Sequence, residues 1–179
     1  AVGRSAGGTV TTGVQDTLIG GLSGDAITTA SNNTAVGYNS LSANTTGLNN
    51  TTTGAYTLFN NTTASHNTAH GYNALFANTT GGNNVAVGNY ALDANTTASN
   101  NTAVGYASLA ANTTGLQNVA LGANAGDSIT TGHNNISIGY LAMDAETTGS
   151  RAVAIGTNAL GSQNGSGADN YNIGIGYAA

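Results

Sequence analysis

Apolar and small residues alternate in short runs along the whole chain. In Val85-Ala86-Val87, Val119-Ala120-Leu121 and Val153-Ala154-Ile155, two apolar residues flank one small residue. A period of two over β-branched residues predicts a β-strand whose outer two side chains share a face. The middle residue is Ala, Ser or Gly in nearly every run. That restriction predicts a crowded opposite face, packed against another backbone.

A glycine follows each run, and ten of these glycines are spaced 17 residues apart: Gly3, Gly20, Gly37, Gly54, Gly71, Gly88, Gly105, Gly122, Gly139 and Gly156. A fixed short period is the signature of a solenoid, in which each repeat is one coil. Glycine suits a corner that needs positive φ or a close backbone approach. The spacing slips once after Gly156 and resumes at 172–177. We expect residues 1–179 to form a single β-solenoid domain of about ten 17-residue coils, with the last coil lengthened near 161–171.

A second apolar rank lies four residues after most corner glycines: Leu41, Leu58, Leu75, Leu92, Leu109, Met143 and Leu160. Three coils have glycine there instead (Gly7, Gly24, Gly126), and in each an apolar residue appears three positions later (Val10, Ile27, Ile129). This exchange predicts that both positions point into one shared interior. Together with the strands, we expect about three sizeable apolar side chains per coil inside. Cores this thin are marginal alone, which predicts association, with a homotrimer around a common axis as the favoured arrangement.

Polar residues form ranks as well. One rank is Thr11, Thr28, Thr45, Thr62, Thr79, Thr96, Thr113, Thr130 and Thr147, and the next residue is also Thr in all nine coils. Another rank is Asn33, Asn50, Asn67, Asn84, Asn101, Asn118 and Asn135. Identical stacked polar side chains can hydrogen-bond along the stack. Recurrent Gly, Asn and Thr disfavour helix, and the chain has no proline to interrupt a ladder. The fold predicted is all-β, a parallel β-roll.

Composition narrows the function classes. The chain has two arginines, no lysine and a net charge of −5, which argues against nucleic-acid binding because phosphates are neutralised by clustered Lys and Arg. No apolar run approaches the length of a membrane span, so we predict no membrane insertion by this segment. There is no cysteine and hence no disulfide. The chain starts mid-coil with Ala1-Val2-Gly3, and we interpret it as a segment of a longer fibre protein or a processed product.

The coils resemble repeats of a known kind. The strings at 33–41 (NTAVGYNSL), 101–109 (NTAVGYASL) and 153–159 (VAIGTNA) resemble the head repeats of YadA-type trimeric autotransporter adhesins and the related repeats of bacteriophage tail fibres. The resemblance covers nearly all coils, although we would expect shorter repeats in the adhesin heads. It implies a left-handed parallel β-roll, three chains to a fibre, and attachment to a host or other surface receptor, with glycans among the candidates. It also implies an extracellular location, on a cell surface or a virion tail.

Tyrosines are the candidate binding residues. Tyr38, Tyr72, Tyr106 and Tyr140 directly follow the corner glycine in alternate coils. Phenol rings with polar tips can stack on sugars or grip other surfaces at low entropic cost. The alternative is that they pack at the interface between chains, and the sequence leaves both open.

Two histidines and a few acids are the remaining candidates for chemistry. His66 and His70 replace residues that are mostly amides or apolar in other coils, and on a three-fold axis a His can bind a metal or an anion. A degenerate coil is the favoured explanation, so we predict neither a metal site nor a cofactor. Asp144 and Glu146 are expected to be solvated charges. No Ser/His/Asp set and no converging carboxylates are suggested, so we predict that the chain is not an enzyme.

Two functions follow from the repeat. The favoured one is a structural and adhesive fibre segment that builds a rigid trimeric shaft and presents attachment surfaces. The alternative is an ice-binding β-solenoid that uses its stacked threonines. Because consecutive residues of an extended chain point to opposite faces, only one of the two Thr ranks is expected to face outward.

Overall fold

The computed structural model describes residues 1–163, 169 and 171–179, and within them it contains ten short parallel strands and no helix. The strands are β1 (Thr17–Ile19), β2 (Thr34–Val36), β3 (Thr51–Thr53), β4 (Thr68–His70), β5 (Val85–Val87), β6 (Thr102–Val104), β7 (Val119–Leu121), β8 (Ile136–Ile138), β9 (Val153–Ile155) and β10 (Ile173–Ile175). Each strand pairs in parallel with the next, from β1 to β10. The molecule is a β-solenoid of about nine turns with coils of about 17 residues, as the spacing of the glycines predicts.

Equivalent residues of successive coils are direct neighbours in the sheet. Val85 pairs with Thr102, which pairs in turn with Val119. The offset changes only between β9 and β10, where Val153 pairs with Ile173, three residues beyond the usual partner. The inserted segment near 161–171 falls largely on residues outside the described ranges.

The interior is lined by the middle residue of each strand. Ala86, Ala103 and Ala120 are fully buried, whereas the residues on either side of them are partly or wholly exposed. The rank that contains Leu75 and Leu92 fills the interior and is buried from Leu41 to Met143, whereas Leu160 is only partly buried. The expectation of about three sizeable apolar side chains per coil inside was therefore wrong. Most coils hold one in the interior, packed against small residues, because the coil is narrow, and the coil of β1 holds two, Leu18 and Ile27.

The exchange between the two apolar positions is confirmed in two of the three coils; in the first coil it is wrong, since Val10 is 37% exposed. Ile27 and Ile129 are fully buried, like the leucines they replace. A Cβ placed on Gly126 would lie 3.1 Å from Cδ1 of Ile129 and 3.2 Å from Cδ2 of Leu109. The isoleucine thus occupies the space that a leucine four residues after the corner would fill.

A ladder of buried asparagines ties the coils together, as the stacked rank predicts. The backbone N–H of Asn84 donates to Oδ1 of Asn67 at 2.9 Å, and that of Asn101 donates to Oδ1 of Asn84 at 2.9 Å. Nδ2 of Asn84 donates to the carbonyl of Ala98, also at 2.9 Å. Both ends of each amide side chain are therefore paired with backbone groups of the next coil, so its burial carries little penalty.

A second asparagine ladder runs through Asn44, Asn61, Asn78, Asn95 and Asn112, which are all fully buried. Nδ2 of each residue from Asn61 onward donates to Oδ1 of the asparagine one coil earlier, at 2.8–3.0 Å. The next position in this rank is Ile129, which has no amide. Oδ1 of Asn112 is consequently buried without a hydrogen-bond partner.

Each regular coil turns its corners with positive φ angles. The corner glycine Gly37 has φ +144°, and a Cβ there would overlap the carbonyl oxygen of Gly54 in the next coil. Three non-glycine positions per coil also have positive φ, as at Asn83 (59°), Tyr90 (62°) and Leu92 (53°). Left-handed backbone costs L-residues roughly 1–2 kcal/mol each. The N–H groups of these three residues all donate to carbonyls of adjacent coils at 2.9–3.2 Å, which offsets that cost.

Candidate functional site

The outward side chains of the ten strands form one continuous surface, which we call the outer face. It has two ranks on either side of the buried middle residues. The first rank is Thr17, Thr34, Thr51, Thr68, Val85, Thr102, Val119, Ile136, Val153 and Ile173, and the second is Ile19, Val36, Thr53, His70, Val87, Val104, Leu121, Ile138, Ile155 and Ile175. With strands about 4.8 Å apart, the outer face is about 43 Å long.

The outer face changes character along its length. Five of its eight residues on β1–β4 are threonine, whereas all eight on β7–β10 are Val, Ile or Leu. Val104, Leu121, Ile136 and Ile155 are each more than a third exposed, and Ile173 is 71% exposed. Isolated apolar residues on a surface are normal, but a contiguous apolar patch marks a site of interaction.

The side chains of the tyrosines predicted as binding residues project from the surface of the solenoid. Tyr38, Tyr72 and Tyr106 are 50%, 42% and 56% exposed. Tyr56 and Tyr90, from the coils between them, are less exposed and wedge between these rings. The five rings form an unbroken chain of edge-to-face contacts with centroids 5.5–6.0 Å apart and planes 78–85° apart. We call these five residues the tyrosine row.

Two phenylalanines extend the tyrosine row on one side. Phe59 lies 5.8 Å from Tyr56, and it stacks on Phe76 with the ring planes only 5° apart. Tyr140 is 54% exposed and equivalent to Tyr106 in sequence, yet it makes no ring contact with another described aromatic residue. The structure thus separates Tyr140 from the other three predicted tyrosines. It also adds Tyr56 and Tyr90, whose alternation with the first set is visible in the sequence.

The two threonine ranks differ in exposure. Hydroxyls of the first rank donate to the carbonyl of the equivalent threonine in the next coil, as from Thr45 to Thr62 at 3.0 Å and from Thr79 to Thr96 at 3.0 Å. The second threonine of each pair is exposed through most of the solenoid. One rank faces outward, as expected, and it forms a single file.

The two histidines occupy different elements. His66 is an exposed corner residue with φ 64°, and its Nε2 lies 3.2 Å from Nδ2 of Asn49. His70 belongs to the outer face at the end of β4. Among residues 1–163, 169 and 171–179, no group of three or more His, Cys, Asp and Glu is placed to hold a metal ion.

The acidic residues differ from expectation at one position. Glu146 is 1% exposed rather than solvated. It stands in the second asparagine rank, and its Oε1 accepts the N–H groups of Thr147, Thr148 and Gly149 at 3.0, 3.2 and 2.7 Å. It therefore does the work of a buried asparagine at a turn.

Two half-buried carboxyls are perturbed by their surroundings. Burial raises the pKa of Asp127, the Asp144 carboxylate one coil away raises this pKa further, and hydrogen bonds from Ser128 oppose both effects. Burial also raises the pKa of Asp93. Stacking places equivalent residues of adjacent coils side by side, so acids 17 residues apart interact.

Three comparisons of the chain with known proteins found no match. The chain matches no family model, no curated protein and no solved structure. Among the residues that the structure describes, there is also no helix with the length and apolar character needed to cross a bilayer.

Proposed function

We propose that this chain is a shaft segment of an extracellular adhesive fibre, on a cell surface or a virion tail, in which three copies pack their outer faces together. The observation that carries the proposal is the apolar outer face on β7–β10, where all eight outward residues are Val, Ile or Leu. A monomer leaves these side chains in water at roughly 25 cal/mol per Å². Association of identical faces removes that cost along the apolar part of the outer face, on β7–β10.

The interior of the monomer supports the same proposal. Most coils bury one sizeable apolar side chain together with small and amide residues, so most of the Val and Ile content lies outside. In a trimer that apolar content becomes a second core between chains. The resemblance to YadA-type head repeats and to tail-fibre repeats points the same way, toward a rigid shaft that presents attachment surfaces and carries out no catalysis.

The mass of the particle in solution tests the proposal. Ile138 lies in the outer face on β8 and is partly buried in the single chain. We expect the wild-type chain to have three times the monomer mass, and Ile138→Lys to shift the particle toward monomer because a lysine cannot be paired in an apolar interface. Thr131→Lys, at an exposed position away from the strands, is the control and should leave the mass unchanged. A wild-type monomer at micromolar concentration would refute the proposal.

Ice binding is the second candidate, and the exposed threonine file is the observation that favours it. A single file of exposed threonines offers a line rather than a two-dimensional array, since the hydroxyls of the other rank are bonded to backbone carbonyls. Thermal hysteresis of a dilute solution tests it. Ice shaping that disappears when Thr80 and Thr97 are replaced by Tyr would establish this function in place of the fibre.

A further inference from the structure

We infer that the tyrosine row binds an extended, uncharged glycan of the β-1,4-linked type. The inference deepens the adhesive part of the proposed function by assigning it a surface and a ligand class. It concerns Tyr38, Tyr56, Tyr72, Tyr90 and Tyr106 and the side chains beside them.

The first support is that the row is preorganised. Each exposed ring touches the edge or face of a less exposed ring from the next coil, at 5.5 Å for Tyr38 with Tyr56 and 5.6 Å for Tyr72 with Tyr90. These contacts hold the exposed rings before any ligand arrives, so binding loses little side-chain entropy. The Phe59–Phe76 stack supports Tyr56 from the side. A set of exposed tyrosines with no contacts would lack this advantage.

The second support is the shape and polarity of the row. The exposed rings project from alternate coils, and the coils between them carry Ala55 and Asn89 at the equivalent position. These smaller side chains leave room for the rings of Tyr56 and Tyr90, which lie between successive exposed rings. Asn89 is itself exposed and accepts the N–H of Tyr72 through Oδ1 at 3.0 Å, which fixes its amide beside the rings. Aromatic faces with polar groups between them match a pyranose, whose faces are apolar and whose rim carries hydroxyls.

The third support is the repeat distance. Exposed tyrosines recur every two coils, which is about 9.6 Å for strands about 4.8 Å apart. This is close to the length of one disaccharide in an extended β-1,4-linked glycan, where alternate sugars present the same face. The row from Tyr38 to Tyr106 spans four coil steps, about 19 Å, and so accommodates four sugars. An α-1,4-linked glucan is helical, so its sugar faces do not recur along a straight line at the spacing of the exposed rings.

Charge selects among glycans. No lysine or arginine lies between residues 38 and 106, and the chain carries a net charge of −5. An acidic polysaccharide would find no cation along the row and would be repelled by the chain as a whole. The ligand expected is therefore a neutral glucan or an N-acetylglucosamine polymer.

Binding of defined oligosaccharides to the full chain tests the inference. Cellotetraose and chitotetraose are titrated by calorimetry or NMR, with the matching disaccharides and maltotetraose as comparisons. We expect one or both β-1,4-linked tetrasaccharides to bind with millimolar affinity, the disaccharides at least about tenfold more weakly because they reach fewer rings, and maltotetraose not at all.

Variants locate the site. Tyr72→Ala, at the centre of the row, should weaken tetrasaccharide binding about fivefold to tenfold, and Tyr38→Ala at its end should weaken it less. Tyr72→Phe keeps the ring and should keep most of the affinity. Tyr140→Ala is the matched control, since it has the same sequence position and exposure but lies outside the ring chain, and it should bind like wild type.

The outcomes separate this inference from the fibre proposal. The inference is overturned if the wild-type chain binds neither β-1,4-linked tetrasaccharide, if maltotetraose binds equally well, or if Tyr140→Ala loses as much affinity as Tyr72→Ala. It is also overturned if Tyr72→Ala and Tyr38→Ala reduce the mass of the particle, because the row would then lie between chains. The mass of the wild-type particle alone tests the fibre proposal. A trimer that binds no glycan would therefore overturn the glycan inference and leave the fibre proposal standing.

Discussion

An exchange of two interior residues offers a stringent test of the stacked-coil packing. Five coils have Leu four residues after the corner and Asn three residues beyond it, whereas one of the three coils with glycine at the first position has Gly126 and Ile129. Gly126→Leu alone should destabilise the chain by about 1–3 kcal/mol through overpacking, because a Cβ there already lies 3.1 Å from Ile129. The φ of +60° at Gly126 adds roughly 1–2 kcal/mol for a left-handed leucine, which the new hydrogen bond of the double variant offsets in part. Ile129→Asn alone should cost about 2–5 kcal/mol through the lost burial and the cavity left behind.

The double variant Gly126→Leu/Ile129→Asn should recover most of this loss. The leucine fills the space of the isoleucine, as in the coil of Leu109 and Asn112, which are both fully buried. The new amide can also donate to Oδ1 of Asn112, which is buried without a partner, and such a bond is worth about 1 kcal/mol. We therefore expect the double variant to lie within about 1 kcal/mol of wild type, with a coupling free energy of about 3 kcal/mol.

Urea unfolding at one fixed chain concentration measures the four free energies of unfolding, because the stability of an oligomer depends on concentration. Gly126→Leu combined with Thr131→Asn is the control, since Thr131 is exposed, and this pair should show no coupling. Additive losses in the Gly126/Ile129 pair would mean that the two side chains do not share one space. The packing described for this coil would then be wrong.

Three further predictions concern the backbone, the ladder and the acids. Ala107→Gly should stabilise the chain by about 0.5–1 kcal/mol, since Ala107 has φ 51° and glycine does not carry the cost of left-handed backbone. Ala110→Gly, at an ordinary negative φ, should destabilise the chain. Thermal unfolding of the two variants makes the comparison. Asn84→Leu should cost about 3 kcal/mol by leaving the N–H of Asn101 and a carbonyl unpaired, and a loss within 0.5 kcal/mol, roughly that of a surface substitution, would refute the ladder's role. The raised pKa of Asp127 favours its protonated form in the folded state. The stabilisation that results is fully present below the ordinary pKa of 3.8 and is lost as pH rises through the pKa of the folded state. Asp127→Asn should reduce this pH dependence of the free energy of unfolding, measured by urea unfolding between about pH 3 and pH 7. An unchanged pH profile would contradict the assignment of the effect to Asp127.

The period and the element type were predictable because they depend on repetition alone. Seventeen-residue spacing and β-branched alternation are enough to predict a parallel stack, and the exchange of Gly126 with Ile129 shows in the sequence that two positions share one space. These features need no knowledge of which way a strand faces.

The alternation alone did not predict which side chains of a strand point into the interior. A three-residue run such as Val85-Ala86-Val87 has two faces, and burying the larger pair is the ordinary expectation. In this solenoid the rank of Leu92 already fills the narrow interior, so only Ala86 fits beside it. The restriction of the middle residue to Ala, Ser or Gly is the signal that could have decided the matter.

The positions with positive φ that are occupied by residues other than glycine were also missed. Asn recurs at 32, 49, 83, 100 and 134, where φ is 57–63°, and asparagine is the non-glycine residue that tolerates this region best. That preference explains why His66 stands among asparagines at an exposed corner. The buried role of Glu146 has a similar signal, since it falls in register with Asn112 two coils earlier.

Paired cysteines provide the most direct test of in-register stacking, and the chain has no cysteine of its own to interfere. Val85 and Thr102 are direct partners on adjacent strands, with both side chains on the outer face. Val85→Cys with Thr102→Cys should form a disulfide within one chain under mild oxidation, because neighbouring parallel strands hold the Cα atoms within bridging distance. Val85→Cys with Ala103→Cys should not, since Ala103 points into the interior. A disulfide in the second pair and none in the first would contradict both the register of the strands and the assignment of Val85 and Thr102 to the outer face.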